Sequence, residues 1–311
     1  MNKHLQFLRE SYPPAPEWGR VMVITGANTG TSQCSSFSAL LQHNATVYMF
    51  CRSETRAQAA IADLKEQTGK EARFVHCDLA DLPSVKRCAD EFLSKESQLH
   101  VLFNNGFVFT FLRRALALTI LQRRPAQPRR TATAQGYDLQ FGANVLGHFY
   151  LTTLLLPLMQ ATARPPPSPP ASSSPPPSCT GTRIRSTTTC CASQTRSARR
   201  RARSERVRGS TYLYAHSKLA TVLCAKELAR RYGDEGIVCI SLHPGQAKTR
   251  PLQARSLRSC AMRAGTDPEA AGWNGKYMTC WARLYHNNPA ADDEAEARKL
   301  WEWMEEQVRA V

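Results

Sequence analysis

Between residues 20 and 106 short apolar runs alternate with longer stretches of good helix formers, and few folds accept that order. Arg20–Ile24, Ala45–Phe50, Ala72–Cys77 and Val101–Phe103 read as strands. Their apolar residues are nearly continuous rather than alternating with polar ones, as expected of strands covered on both faces. Ala39–Asn44 finishes a first helix, Ala57–Thr68 forms a second that ends near Gly69, and Ser84–Lys95 forms an amphipathic third. A strand that leads through a helix to the next strand returns parallel to its start. Four strands alternating with three helices therefore predict an α/β, doubly wound parallel sheet. The expected unit is a single domain, 20–308, behind a proline-rich extension, 1–19.

Two tracts break the pattern. Residues 107–134 hold six arginines and no acid, and residues 161–210 hold ten arginines against Glu205 alone. Of the formal net charge of +16, these tracts carry all but one unit, so the rest of the chain is nearly neutral. A basic balance commonly marks a nucleic-acid or anionic-surface partner. The second tract has no Phe, Tyr or Trp to stack on bases, so nucleic acid is not expected as a partner. Its Pro/Ser/Thr/Arg composition predicts disorder and no buried strand. An abrupt change of composition inside a regular pattern is what translation through a retained intron or in a shifted frame produces; sequencing the transcript tests it. Regularity returns at Gln135–Phe141, with a long helix through Asn144 and His148 to Met159, then at Thr211, at strand Ile237–Leu242, and in an amphipathic tail helix Glu294–Val308.

Eleven scattered cysteines without a C-x-x-C pair indicate neither a disulfide framework nor a zinc site, and suit a reducing compartment. The longest apolar runs, Ala115–Leu121 and Leu151–Met159, fall well short of the roughly 20 residues of a membrane span. No signal-peptide pattern opens the chain, so the default expectation is a cytoplasmic protein without a membrane span.

Several short motifs bear on chemistry. Thr25-Gly26-Ala27-Asn28-Thr29-Gly30 follows the first strand and precedes a helix. Glycines there let backbone N–H groups approach a phosphate, although an ordinary strand–turn–helix corner has the same look. Arg52 follows the second strand, where an arginine suits the 2′-phosphate of NADP and equally suits solvent at a helix start. Tyr214 and Lys218 stand one helical turn apart. An ammonium beside a phenol favours the phenolate and makes tyrosine a usable acid or base near neutrality. The spacing alone also arises by chance in any helix.

Taken in order, the motifs resemble the short-chain dehydrogenase/reductase family, particularly its fungal retinol-dehydrogenase-like members. They are Thr25–Gly30, Asp78-Leu79, Asn104-Asn105-Gly106, Asn144-Val145-Leu146-Gly147-His148, Tyr214-x-x-x-Lys218 and Pro244-Gly245-x-x-x-Thr249. The resemblance implies a Rossmann-like domain and NAD(P)-dependent hydride transfer between a nicotinamide and a carbonyl or alcohol substrate. It implies Tyr214 as general acid/base, Lys218 at the nicotinamide ribose, and Asn144 holding the helix and a water in the proton relay. Gly26, Asn28 and Gly30 would line the pyrophosphate turn, Arg52 would meet the 2′-phosphate, and Asp78 with Leu79 the adenine. Asn104 would stabilise the end of the fourth strand, and Pro244, Gly245 and Thr249 would contact the nicotinamide or phosphate end. NADP is favoured over NAD, and homo-oligomers through the helices flanking the sheet are common in the family.

The chain also departs from the family. Thr31-Ser32 follows Gly30 where a further glycine is expected, Gly106 arrives without a preceding alanine, and no serine-bearing strand is legible in 161–210. The alternative reading is therefore a catalytically impaired relative that binds a dinucleotide at most.

Overall fold

The computed structural model describes residues 19–26, 38–106, 132–164, 184–189, 205–243, 260, 263–265, 267–279, 282–285 and 288–311, with 184–189 and 205–211 described by their backbone. Strands β1 Val21–Thr25, β2 Thr46–Cys51, β3 Arg73–His76, β4 Val101–Asn104, β5 Ile184–Thr189, β6 Ile237–Leu242, β7 Tyr277–Thr279 and β8 Arg283–Tyr285 form one sheet. Its order is β3-β2-β1-β4-β5-β6-β7-β8, parallel as far as β7, with β8 antiparallel at the edge. The helices are α1 (38–42), α2 Glu54–Thr68, α3 Leu82–Lys95, α4 Leu139–Ala163, α5 Glu205–Tyr232 and α6 Glu294–Val308.

Strand β1 shows why the apolar runs are continuous. Val21 and Val23 face a core built with α3, α4, α5 and α6, whereas Met22 and Ile24 face a second core with α1 and α2. Both faces are covered, so both sets of alternating side chains must be apolar. The helices end where local chemistry stops them. Gly69, in the left-handed conformation at φ 71°, closes α2 and donates its N–H to the Lys65 carbonyl. Asp293 caps α6 by accepting from the Glu296 N–H at 3.0 Å. On α6, Trp301 and Met304 are buried against the first core and Leu300 and Val308 partly so, on the one side the sequence predicts.

The chain builds outward from β1 to β3, then returns to lay β4 on the other side of β1. The reversal opens a crevice at the carboxyl ends of β1 and β4, where doubly wound sheets bind their ligands.

Three expectations are corrected. Residues 161–210 do contain a strand. Ile184–Thr189 pairs in parallel with β4 from Arg185 to Thr188 and with β6 along its whole length. Its threonines are β-branched and suit a pleated strand. Two formed neighbours supply both hydrogen-bond ladders, so pairing prevails where no apolar run announces a strand. Second, α5 starts at Glu205, ahead of Thr211 where the sequence pattern becomes regular, because the Glu-Arg-Val-Arg stretch contains good helix formers. Third, α4 is long and apolar enough to cross a membrane, with mean hydropathy 1.3 over its most apolar 18-residue window. That window is 72% buried inside the protein, as a core helix is. Polar Asn144, His148 and Thr152 interrupt the apolar run in sequence, and each is hydrogen-bonded within the fold.

Candidate active site

The crevice is lined first by backbone. Gly26 ends β1 at φ +70°, and a Cβ placed on it would stand 2.4 Å from the Gly106 Cα. No side chain fits there, so two strand ends approach to bare backbone and leave the crevice mouth clear of side chains. The Gly26 N–H itself donates to the Phe50 carbonyl at 3.0 Å, which ties the end of β1 to the end of β2. Thr25 Oγ1 accepts from the Asn105 N–H at 2.9 Å and the Gly106 N–H at 2.8 Å, so one hydroxyl ties the end of β1 to the end of β4. Asn104 is 6% exposed and donates through Nδ2 to Thr152 Oγ1 at 2.9 Å, while Thr152 donates to the His148 carbonyl. Its Oδ1 meets no donor among the described residues. A cavity of about 30 Å³ beside it, lined by Asn104, Asn144, His148, Thr152, Thr221 and Cys224 among others, is large enough for a water molecule.

Helices α4 and α5 supply the titratable groups. Gly142–Leu146 forms a π turn within α4, a device frequent at functional sites, and it carries Asn144. Asn144 Nδ2 donates to Ser217 Oγ at 3.2 Å, and Ser217 donates to the Tyr214 carbonyl at 2.8 Å, so the two helices are pinned beside the tyrosine. Lys218 is 3% exposed, and its Nζ lies 5.4 Å from the centroid of the half-buried Tyr214 ring. The one-turn spacing therefore does place ammonium and phenol together. His148 is buried nearby. Desolvation, followed by the Lys218 charge, pushes its imidazole down to about 4 against the opposing hydrogen bond to the Asn144 carbonyl. His243, just after β6, is lowered for the same two reasons.

Arg52 is exposed at the end of β2, and Asp78 is half-buried just after β3, accepting from the Ala80 N–H at 3.1 Å. Leu79 wedges between the crevice and α4: a Cβ on Gly106 would meet its Cδ1 at 2.9 Å, and one on Gly147 its carbonyl at 2.3 Å. Gly26, Arg52, Asp78, Leu79 and Asn104 thus share the carboxyl edge of the sheet, and Asn144, Tyr214 and Lys218 share the α4–α5 seam. Asn28, Gly30, Pro244, Gly245 and Thr249 lie outside the described residues.

The family model described as short chain dehydrogenase matches residues 20–164. A short-chain dehydrogenase/reductase of Armillaria gallica is 38% identical over 334 residues, covering 99% of each chain. This chain is a short-chain dehydrogenase/reductase. Retinol dehydrogenase 14 of Mus musculus is 30% identical over 93% of this chain and 86% of its own. A solved protein from Mycobacterium paratuberculosis superimposes with a TM-score of 0.64 at 25% identity, covering 94% of this chain and 95% of its own. Membership of the family makes the chain an NAD(P)-dependent oxidoreductase of small-molecule carbonyl or alcohol substrates.

For a short-chain dehydrogenase/reductase, the sequence reading included Thr25 and His148 in its motifs without giving their side chains a role, and it left out Ser217 and the end of β5. His148 carries a legible signal, lying one turn after Asn144. Ser217 sits directly before Lys218 but meets Asn144 only through helix packing. The end of β5 has no such signal: register places Thr188 opposite Asn104, and Thr189 opposite Leu242.

Proposed function

We propose that the chain is an NADP(H)-dependent reductase or dehydrogenase in which Tyr214 moves the proton and Lys218 tunes it. The observation that carries this reading is the buried Lys218 ammonium 5.4 Å from the Tyr214 ring, pinned through Ser217 and Asn144 beside the glycine crevice. Burial leaves the ammonium little water to screen it, so it favours the ionised phenol when the tyrosine gives up its proton. Gly26, which carries no side chain, would leave room for the dinucleotide's phosphates beside the strand ends, with Asp78 and Leu79 toward the adenine. Arg52, exposed at the end of β2, is suited to a 2′-phosphate, which is what favours NADP. The nicotinamide, when bound, supplies or accepts the hydride. Tyr214 would protonate the substrate oxygen on reduction and remove its proton on oxidation, with Lys218 oriented to the ribose.

The test is a thermal-shift titration with NADPH and NADH in parallel, followed by turnover of NADPH with a panel of aldehydes and ketones. The reading expects a saturable stabilisation, larger for NADPH, and turnover abolished by Tyr214→Phe. The competing reading, a binding-only relative, is favoured by the absence of a serine among the last three residues of β5. Nucleotide binding without turnover of any carbonyl would establish that competing reading and overturn ours.

A further inference from the structure

We propose that His148 is a positioning residue that couples the cofactor turn to the catalytic seam, holding Thr25 with one ring nitrogen and Asn144 with the other. The inference rests on the dinucleotide reading above. His148 Nδ1 lies 3.0 Å from the Asn144 carbonyl oxygen and Nε2 lies 2.8 Å from Thr25 Oγ1. A carbonyl oxygen only accepts, so Nδ1 carries the proton in the bond to Asn144. In the neutral ring Nε2 is then an acceptor, and the proton between it and Thr25 must come from the threonine hydroxyl.

This assignment completes the hydroxyl. Thr25 Oγ1 already accepts from the Asn105 and Gly106 N–H groups, and its own proton has two acceptors in range, His148 Nε2 at 2.8 Å and the Phe103 carbonyl at 3.4 Å. The shorter and better-placed partner is the imidazole. One continuous chain of hydrogen bonds therefore runs from the Asn105 and Gly106 N–H groups through Thr25 and His148 to the Asn144 carbonyl. Asn144 in turn grips Ser217, one residue from Lys218. Among the described residues the charged group that acts on the ring is Lys218, which together with burial keeps the imidazole neutral. The crevice that receives the nucleotide and the helices that carry the proton are thereby held in fixed relation across the sheet edge.

Two substitutions separate the halves of the link. His148→Asn keeps an amide donor near the Nδ1 position and loses the reach to Thr25; His148→Gln keeps an acceptor near the Nε2 position and loses the bond to Asn144. Loss of one net hydrogen bond corresponds to about tenfold in an equilibrium constant. The Asn variant should therefore raise the Kd for NADPH about tenfold with kcat little changed, measured by quenching or enhancement of nucleotide fluorescence and by steady-state kinetics. The Gln variant should bind within about threefold of wild type and lose kcat. A purely structural histidine would give no such crossed pattern. Thr25→Val on the His148→Asn background should weaken nucleotide binding no further than Thr25→Val alone, a comparison that remains available if the Gln variant folds poorly. Equal losses in both single variants, or none in either, would overturn the inference while leaving the dinucleotide reading intact. A wild-type chain that binds neither NADPH nor NADH would overturn both.

Discussion

Gly26 and Gly106 pack backbone to backbone: a single added carbon on Gly26 would stand 2.4 Å from the Gly106 Cα. That contact brings the ends of β1 and β4 close enough for one threonine hydroxyl to serve both. What the crevice needs at this point is a position without a side chain, and Gly106 supplies it although the alanine expected before it is missing.

Gly26→Ala is accordingly expected to be costly twice over, through the clash and through φ +70°, where a left-handed non-glycine residue alone costs about 1–2 kcal/mol. Chemical denaturation should show a loss of at least about 2 kcal/mol. Gly136→Ala is the control, with positive φ and nothing within 4 Å of the added carbon, and it should lose only the conformational part.

Tyr214→Phe removes the hydroxyl proposed to move the proton and leaves the ring. Loss of a general acid/base costs about 10²–10⁴-fold in kcat, and nucleotide affinity should stay within about twofold. An equal loss of nucleotide binding would show that Tyr214 serves the fold rather than the chemistry.

Arg52→Ala tests nucleotide choice. The residue is exposed, so folding stability should not change, whereas a charge-assisted bond to a 2′-phosphate is worth about 1.5–3 kcal/mol. NADPH affinity should fall roughly 10- to 100-fold with NADH affinity unaltered. Parallel losses for both nucleotides would remove Arg52 from the phosphate site.

His148 makes the fold sensitive to acid in a defined direction. Its folded value, about 4, lies below the ordinary 6.5, so the stability of the neutral buried ring is complete above pH 6.5. As pH falls from there toward 4 the unfolded chain binds the proton first, and about 3 kcal/mol of stability is lost. His100 adds in the same sense, lowered by burial and by Arg20, and its Nδ1 accepts from the Val21 N–H at 3.1 Å. Urea titrations at pH 7 and pH 4.5 should show a smaller difference for His148→Gln than for wild type.

Trp301 on α6 is buried against Phe149, with ring centroids 4.9 Å apart, and the Arg231 guanidinium lies 5.1 Å from its ring. Trp301→Ala should cost about 3–5 kcal/mol of stability. Trp303→Ala, on the exposed side of the same helix, should cost far less.

The local pattern carried most of the fold because parallel strands covered on both faces leave an unmistakable apolar run, and helices between them have their own period. β1, β2, β4 and β6 lie within a residue or two of where the sequence places them, and α6 spans the expected residues. β5 was illegible for a physical reason: its pairing energy resides in the neighbouring strands, and Thr-rich sequence announces nothing by itself. The short β7 and β8 were illegible for the same cause. Of the candidate site, Tyr214, Lys218, Asn144, Gly26 and Arg52 could be singled out from motif order, and the structure puts the first three at the α4–α5 seam and the last two at the carboxyl edge of the sheet.

By itself the sequence determined the layered α/β architecture, the glycine at the end of β1, and the one-turn relation of Tyr214 to Lys218, because each depends on residues close together along the chain. The tertiary structure alone decided that Thr25, His148 and Asn144 form one hydrogen-bonded link, and that Gly26 meets Gly106. Residues some 80 to 120 positions apart are brought to hydrogen-bond distance by sheet order and helix packing, and no local pattern encodes a distance between them.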